Sequence, residues 1–400
     1  MPSSPIYRNR DFILLWLGQL VSETGNRVYS LALMWWALTA TGSALKMGTV
    51  MAFWTIPFVV LGPVAGAWVD RHNRKVIIVG MDVVRGIIVV IVATLAFMNR
   101  LLLWHVYLAI SFESIGTAFF MPAVTATIPN IVSKKDLTKA NSLSQLVRSV
   151  VGVAGPALGG LLIAIVGIPA VFLINGISYL LSAGSETFIR VPPLTRKIEE
   201  QKHIIRETYD GFRFIKNDRM LFGLVSVSCI LNFFAAPIIV LIPVLVKQIL
   251  HLEVKHVGFL EAAMSLGIAG IAVILSIIPE IRQKHKPIIL GIFFDGVFIA
   301  LSGIVLNFQW ILGFFILFGI FNGLCNISFR TLLQNIIPDE RRGRVFGALT
   351  TINIGLNPVG YILAGFLADI LTVPVVFVMA GLILVIGGLY LYSIPEMRKV

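Results

Sequence analysis

Near-continuous apolar runs of twenty or more residues constrain this chain more than any other feature. In the run 76–98 the only charged side chains are Asp82 and Arg85. A hydrocarbon core about 30 Å thick is crossed by about 20 residues of helix, so each such run fits one crossing. In lipid every backbone polar group must be satisfied internally, which leaves helices or a closed barrel. A barrel would show short segments of alternating polarity, and these runs do not alternate. Composition points the same way. Charged residues make up 13% of the chain and hydrophobic ones 57%, with a mean hydropathy of +0.91, whereas a soluble domain carries about 25% charged residues. The expected class is an all-α polytopic membrane protein.

Twelve spans are expected, at 12–38, 44–69, 76–98, 102–129, 140–165, 168–189, 220–246, 255–278, 287–306, 309–334, 344–368 and 373–394. The one long polar segment, 191–218, divides them six and six. That division gives an N-terminal six-helix bundle (1–189), a linker (190–219) and a C-terminal six-helix bundle (220–400). Within the linker, Ile204, Ile205, Tyr209 and Phe212 recur at helical spacing, as expected of an amphipathic helix lying on the membrane surface. The polar stretch 1–11 leads straight into a full-length span, as in a first transmembrane helix rather than a cleaved signal. With both termini in the cytoplasm, 24 of the 32 Lys and Arg fall inside, four outside (Lys46, Arg100, Lys247, Lys255) and four within spans. The bias obeys the positive-inside rule. It also accounts for the net charge of +12 without any nucleic-acid partner. The location implied is a cell membrane crossed many times.

Part of the first half recurs in the second. Thr125-Ala-Thr-Ile-Pro-Asn-Ile-Val precedes a charged turn and Ala140-Asn-Ser-Leu143, while Thr331-Leu-Leu-Gln-Asn-Ile-Ile-Pro precedes a charged turn and Phe346-Gly-Ala-Leu349. One offset of 206 pairs Thr125 with Thr331, Leu143 with Leu349 and Gly159 with Gly365. The fourth and fifth spans of each half therefore repeat in the same orientation. Parallel repeats about an axis normal to the membrane suit a transporter with its substrate site between halves.

The most specific local signal is Gly62-Pro-Val-Ala-Gly66-Ala-Trp-Val-Asp70-Arg71-His-Asn73-Arg74-Lys75, between the second and third spans. Gly62 and Gly66 lie one turn apart and offer a face for close helix approach. A carboxylate at Asp70 would be unfavourable beside a helix C-terminus, so it requires a partner such as an Arg or another helix's N-terminus. Asn73 is a residue that tolerates the left-handed conformation of a tight turn. A second signal, Gly155-Pro156-Ala-Leu-Gly159-Gly160 with Gly152 before it, places a proline kink among small residues in the fifth span.

These residues resemble the major facilitator superfamily. The first stretch is similar to its signature loop, G-x-x-x-D-R-x-G-R-[RK], with Asn73 where glycine is usual. A degenerate copy, Pro279-Glu-Ile-Arg282-Gln-Lys-His-Lys286, stands between the eighth and ninth spans. The second stretch resembles the antiporter motif of drug-exporting branches, with Gly152 one position off the usual spacing. Trp36-Ala-Leu-Thr-Ala-Thr-Gly-Ser-Ala44, Ser114-Ile-Gly-Thr-Ala-Phe119 running to Pro122-Ala123, and Arg344-Val-Phe-Gly347 resemble the macrolide-efflux and siderophore-exporting type of bacterial antiporter. The resemblance implies the twelve-helix major facilitator fold. It also implies that Asp70, Arg71 and Arg74 latch the two halves on the cytoplasmic side in the outward-open state.

Ionisable residues inside spans are costly unless paired or hydrated, and they mark pathways and couplers. The proton-coupling candidates are Glu23, Glu113, Asp82, Glu261 and Asp295, with Arg27, Arg85 and Arg330 as charge partners. Glu23 and Arg27 share a helix face, four residues apart; Asp82 and Arg85 are three apart and suit bracing of the signature loop. Glu113 has no local partner. A carboxylate couples proton flow when burial favours its neutral form in one state and hydration its charged form in another. Phe53, Trp54, Asn232, Asn322, Asn326 and Gln334 are the substrate-cavity candidates. Trp35 and Trp36 suit interfacial anchoring.

The leading expectation is a monomeric exporter of small amphipathic organic molecules, driven by proton antiport. No G-x-x-x-x-G-K-[ST] occurs, so the proton gradient takes the place of nucleotide and no cofactor is expected. Cys229 and Cys325, the two cysteines, have neither disulfide nor zinc-type spacing, and no metal site is expected. An uptake symporter or facilitator of the same fold is the nearest competing reading. A membrane-embedded enzyme or sensor is the competitor of another class, and no nucleophile–base pair specifies it.

Overall fold

A computed structural model describes residues 6–191, 204–278 and 285–393. Among these residues the regular structure is all helical, with no strand. The first half comprises α1 (Arg10–Thr41), α2 (Ala44–Val69), α3 (Arg74–Phe97), α4 (Leu103–Ile131), α5 (Leu137–Val166) and α6 (Ile168–Glu186). A shorter helix α7 (Ile204–Asn217) follows. The second half comprises α8 (Arg219–Val244), α9 (Lys255–Ile277), α10 (His285–Ile304), α11 (Phe308–Ile336), α12 (Asp339–Leu371) and α13 (Val373–Ser393). Each expected span is thus a helix, with ends displaced by at most five residues. By length and composition, 11 helices among the described residues suffice to cross a membrane. α1, with Asp11, Glu23 and Arg27 along it, falls outside that set.

Local chemistry sets the helix ends. Asn307 caps α11 by accepting from the Gln309 and Trp310 amides, and Asp218 caps α8 through the Leu221 amide. Asn73 departs from the left-handed conformation expected of it. Its φ is −64°, and its side chain accepts from the Lys75 amide as the N-cap of α3. The polar side chain serves the orphan amides of the helix start better than it would a turn. The turns after α5 and α12 are alike: Gly167 has φ +81° and Thr372 φ +82°.

The chain forms two compact units. The first is Met1–Thr39 with Phe53–Gln201, and the second is Ala40–Ala52 with Lys202–Val400. In each, large apolar side chains turn outward: Val60, Ile91, Leu181 and Ile165 in the first and Ile277 and Ile386 in the second are all more than half exposed. So much exposed aliphatic surface is stable against lipid, not water.

Glycines fix the helix crossings. A Cβ on Gly86 of α3 would sit 3.2 Å from the Gly176 carbonyl oxygen of α6, and one on Gly176 would sit 3.3 Å from that of Gly86. In the second unit α10 and α13 cross the same way at Gly296 and Gly381, each 2.5 Å from the other's carbonyl oxygen by the same measure. The amphipathic α7 packs on protein at its C-terminal end. Its Ile215 is buried with Val345, Ala348 and Leu349 of α12 and Leu221 of α8, and Gly211 lets the Arg344 backbone close in. At Gly211 and Ile215 this helix is covered by protein, where packing contacts add to the transfer gained by leaving water.

Candidate functional site

In the first unit, small residues bring α1, α3 and α6 close enough to bury charge between them. Gly18 of α1 faces the Ser182 and Ser185 hydroxyls, and Gly25 faces Ser178 and Asn175, all from α6. Asp82, Arg85, Glu113 and Glu186 lie within this bundle, each at most 4% exposed. The expected Asp82–Arg85 pair forms. The Arg85 guanidinium also donates to Thr117 Oγ1 at 3.3 Å and is sandwiched by the Phe120 and Tyr179 rings at 4.3 and 4.5 Å. Gly116 of α4 makes room for its stem, since a Cβ there would meet Arg85 Cγ at 2.9 Å. Glu113 finds a partner 84 residues away: the Tyr29 hydroxyl of α1 donates to its Oε1 at 2.8 Å. Tyr179 in turn donates to Asn26 Oδ1.

Glu186, the last residue of α6, was not among the sequence candidates. Ser182 donates to its Oε1 at 3.4 Å, and its carboxyl lies within hydrogen-bond reach of that of Asp82. Its one sequence signal is a carboxylate closing an otherwise apolar helix, which reads equally well as an interfacial charge. The cluster therefore holds three carboxyls against one guanidinium.

Glu23 and Arg27 do not form the pair their spacing suggests; no ion pair joins them among the described residues. Glu23 lines a cavity of about 80 Å³ shared with Gln19, Asn141 and Arg148, and Arg148 is held by Gln145 Oε1 at 3.0 Å. Arg27 lies elsewhere on α1, its stem against α5: a Cβ on Gly155 would meet Arg27 Cβ at 2.9 Å. Gly159 similarly admits the Val28 Cα at 3.2 Å, and Pro156 and Gly160 are buried beside them. The close approach of α1 thus uses Gly155 and Gly159, while nothing described lies within 4 Å of a Cβ on Gly152.

In the signature loop, the carboxylate at the end of α2 is met by an Arg: Asp70 Oδ1 is 3.4 Å from Arg74 Nη2. Arg74 Nη1 also donates to the Ala126 carbonyl of α4 at 2.9 Å, tying the loop to a third helix. Arg71 and Lys75 stand outside these bonds. Gly62 departs from the close packing expected of it, with nothing described within 4 Å of a Cβ there. Of the degenerate copy, Pro279 to Lys284 lie outside the described residues.

The second unit buries Asp295 on α10 at 5% exposure, against a cavity of about 60 Å³ shared with Ser228, Asn232, Asn322 and Asn326. Asn322 donates to its Oδ2 at 3.1 Å, and Asn326 donates to Asn322 Oδ1 at 3.0 Å. Asp295 Oδ1 has no hydrogen-bond partner among the described residues. Three of the expected cavity residues thus gather around one expected carboxyl. Gln334 does not join them: it is exposed, and its carbonyl accepts from Arg342. Arg330 is also exposed and lies over the Phe346 ring at 6.0 Å. Glu261, half-buried on α9, does not line this cavity. In the first unit, Phe53 stacks on Tyr107 and Trp54 on Phe58. An aromatic stack the sequence reading missed, Phe294 and Phe298 against Phe321, joins α10 to α11.

The profile of the Major Facilitator Superfamily matches residues 15–356. Macrolide efflux protein A of Streptococcus pyogenes is 27% identical over 396 residues, covering 97% of this chain and 96% of that protein. The enterobactin exporter EntS of Escherichia coli O1:K1 / APEC is 28% identical over 375 residues, covering 91% and 83%. Among solved structures, a bacterial homologue of the human lysosomal transporter Spinster, inward-facing and unoccupied, superposes with a TM-score of 0.78 at 14% identity, covering 98% of each chain. A bacterial homologue of the iron transporter ferroportin, inward-facing, gives 0.74 at 17% identity, covering 98% and 100%. These likenesses in structure establish the fold.

Proposed function

The chain belongs to the major facilitator superfamily of transporters, and from that premise we propose that it exports small amphipathic organic molecules in exchange for protons, by alternating access between its two units. The observation that carries the proton is the buried acid cluster of the first unit. Asp82, Glu113 and Glu186 share a single guanidinium, and an unpaired charge in a lipid-embedded bundle is expensive enough that a carboxyl there holds a proton instead. Such groups bind protons when closed off and release them when water reaches them. Export as the direction rests on the efflux names carried by relatives aligned over most of both chains. The α1–α5 contact at Gly155 and Gly159 supports the same direction, since it uses the stretch that resembles the antiporter motif of drug-exporting branches. Macrolides and enterobactin, named for those relatives, support a small organic molecule as the class of cargo. The protein works as a monomer in a bacterial cell membrane, with both termini in the cytoplasm.

The test is made in inverted membrane vesicles with a pre-formed proton gradient. Addition of a transported macrolide or siderophore is expected to dissipate the gradient, and labelled cargo is expected to accumulate inside. A gradient untouched by every cargo that the vesicles accumulate would sink proton antiport; accumulation in right-side-out cells instead would reverse the direction.

A further inference from the structure

We propose that Asp82 and Glu186 form one proton-binding site in which a single proton is shared between the two carboxyls; the part it plays in transport rests on the proton-driven reading above. Both side chains are fully buried, at 0% and 1% exposure, and they lie within hydrogen-bond reach of each other. Two ionised carboxylates have no hydrogen to place between them. If one is a carboxylic acid, its O–H donates to the other and the contact becomes a bond.

The partner inventory leads to the same place. Asp82 Oδ2 and Glu186 Oε2 are buried and each lacks a donor among the described residues. One added proton supplies a donor to one and a covalent hydrogen to the other, so a single event satisfies both. The groups that face the pair cannot do this. Arg85 is already committed to Asp82, to Thr117 and to two aromatic rings. Ser182 stands within hydrogen-bond reach of both acids, at 3.4 Å from Glu186 Oε1, but its one hydroxyl hydrogen can serve only one of them at a time. Glu113 of α4 is an acid itself and takes its donor from Tyr29 of α1. The Tyr179 hydroxyl of α6 is spent on Asn26 of α1. With every acid ionised, three negative charges would face one guanidinium in a dry interior. Like charges sharing such a site resolve their repulsion by keeping a proton.

The placement gives the proton something to act on. Asp82 belongs to α3 and Glu186 ends α6, two helices held together at Gly86 and Gly176. With the proton bound, the pair is an attraction across that crossing. When the proton leaves to water, the same pair becomes two negative charges side by side, and the ends must part or admit water. The helix that feels this, α3, begins at Arg74, the partner of Asp70 in the signature loop.

Infrared difference spectroscopy of the purified protein in lipid nanodiscs tests the site without relying on transport. The wild type is expected to show a carboxylic-acid carbonyl band that persists where free acids are ionised. Glu186→Gln, whose amide can still donate to Asp82, is expected to remove that band. Asp82→Asn is expected to remove the same band because the proton belongs to both, and it serves alone if Glu186→Gln does not fold. Glu113→Gln should leave that band in place. In vesicles, Glu186→Gln is expected to cut proton-driven export by about tenfold or more while substrate exchange stays within about twofold, the split that separates coupling from binding. A band unchanged in both pair variants overturns the proposal. If the band behaves as expected but the wild type exports without moving protons, the site stands and the antiport reading falls.

Discussion

Because Arg85 is clamped between two aromatic rings with Asp82 on its guanidinium, replacing it removes packing as well as charge. Arg85→Met fills much of the volume but leaves the buried acids without a cation, and removing one partner of a buried pair costs about 3–5 kcal/mol. A large fall in melting temperature is expected for the detergent-purified protein. Arg85→Lys should recover part of it, since an ammonium keeps the charge but neither the fork nor the flat stacking surface. An unchanged melting temperature for Arg85→Met would show that the acids are not held by this cation. A second contact allows a cleaner measurement. Tyr29→Phe deletes the donor to Glu113, and a buried acceptor stripped of its donor costs about 1–3 kcal/mol. Adding Glu113→Leu should return much of that loss, and a double-mutant cycle giving strict additivity would deny the bond. How legible these residues were in the sequence follows from the same contacts. Glu113 announces itself as a lone carboxyl deep in a span, but Tyr29 is invisible until α1 and α4 are brought together. Glu186 sits at a helix end, where a charge normally meets water, and only the tertiary packing of α6 against α3 buries it. Glu23 and Arg27 show the reverse: their spacing allowed a pair, but Gly155 offers the Arg27 stem a better groove.

At the scale of elements, the turns after α5 and α12 occupy equivalent places in the two halves, one residue off the 206-residue offset. Gly167 adopts φ +81°, ψ 166° at no steric cost, whereas Thr372 holds φ +82°, ψ 151° with a β-branched side chain. That region belongs almost entirely to glycine, and occupying it costs about 1–3 kcal/mol. Thr372→Gly is therefore expected to raise the melting temperature, and Gly167→Thr to lower it; a Thr372→Gly variant that melts earlier would mean the side chain contributes more than the strain takes away. The repeat was readable through α4–α5 and α11–α12 because Thr, Leu and Gly recur there in register. This turn was hidden because Thr stands where the first half has Gly. The spans themselves were the most legible part, since the thickness of the bilayer dictates their length regardless of packing. For α7 the helical spacing of apolar residues was legible, but the contact of its C-terminal end with α12 was not, because it depends on the close approach of the Arg344 backbone at Gly211.

At the scale of the whole molecule, α2 is the helix divided between the two units: residues up to Ala52 cluster with the second, and those from Phe53 with the first. Under the alternating access proposed above, in which two repeats move against each other, a helix shared in this way surrenders one set of contacts during the cycle. The set at its N-terminal end, which lies outside when both termini are cytoplasmic as proposed, includes three bonds to one side chain. The Asp369 carboxylate accepts from Ser43 Oγ at 2.5 Å, from the Ala44 amide at 2.7 Å and from the Leu45 amide at 3.1 Å. It thereby caps the start of α2, where a negative charge is favoured. Gly365, one turn earlier on α12, lets the Ala44 and Leu45 backbone come within 2.6–2.8 Å of a Cβ position. Hydrogen bonds to a charged group contribute about 1.5–3 kcal/mol, so deleting Asp369 should raise the share of molecules with this end released by about tenfold or more. Met47, fully buried one turn into α2, reports the release. With Cys229→Ala and Cys325→Ala as background, Met47→Cys should react slowly with a membrane-impermeant maleimide in intact cells. Adding Asp369→Ala should speed that reaction by about tenfold, while Asp369→Asn, which keeps the shape of the acceptor without its charge, should fall between. Equal labelling rates in all three would mean that the cap on α2 does not restrain the outer end, and that the energy holding it lies in the glycine contacts at Gly48 and Gly365 instead.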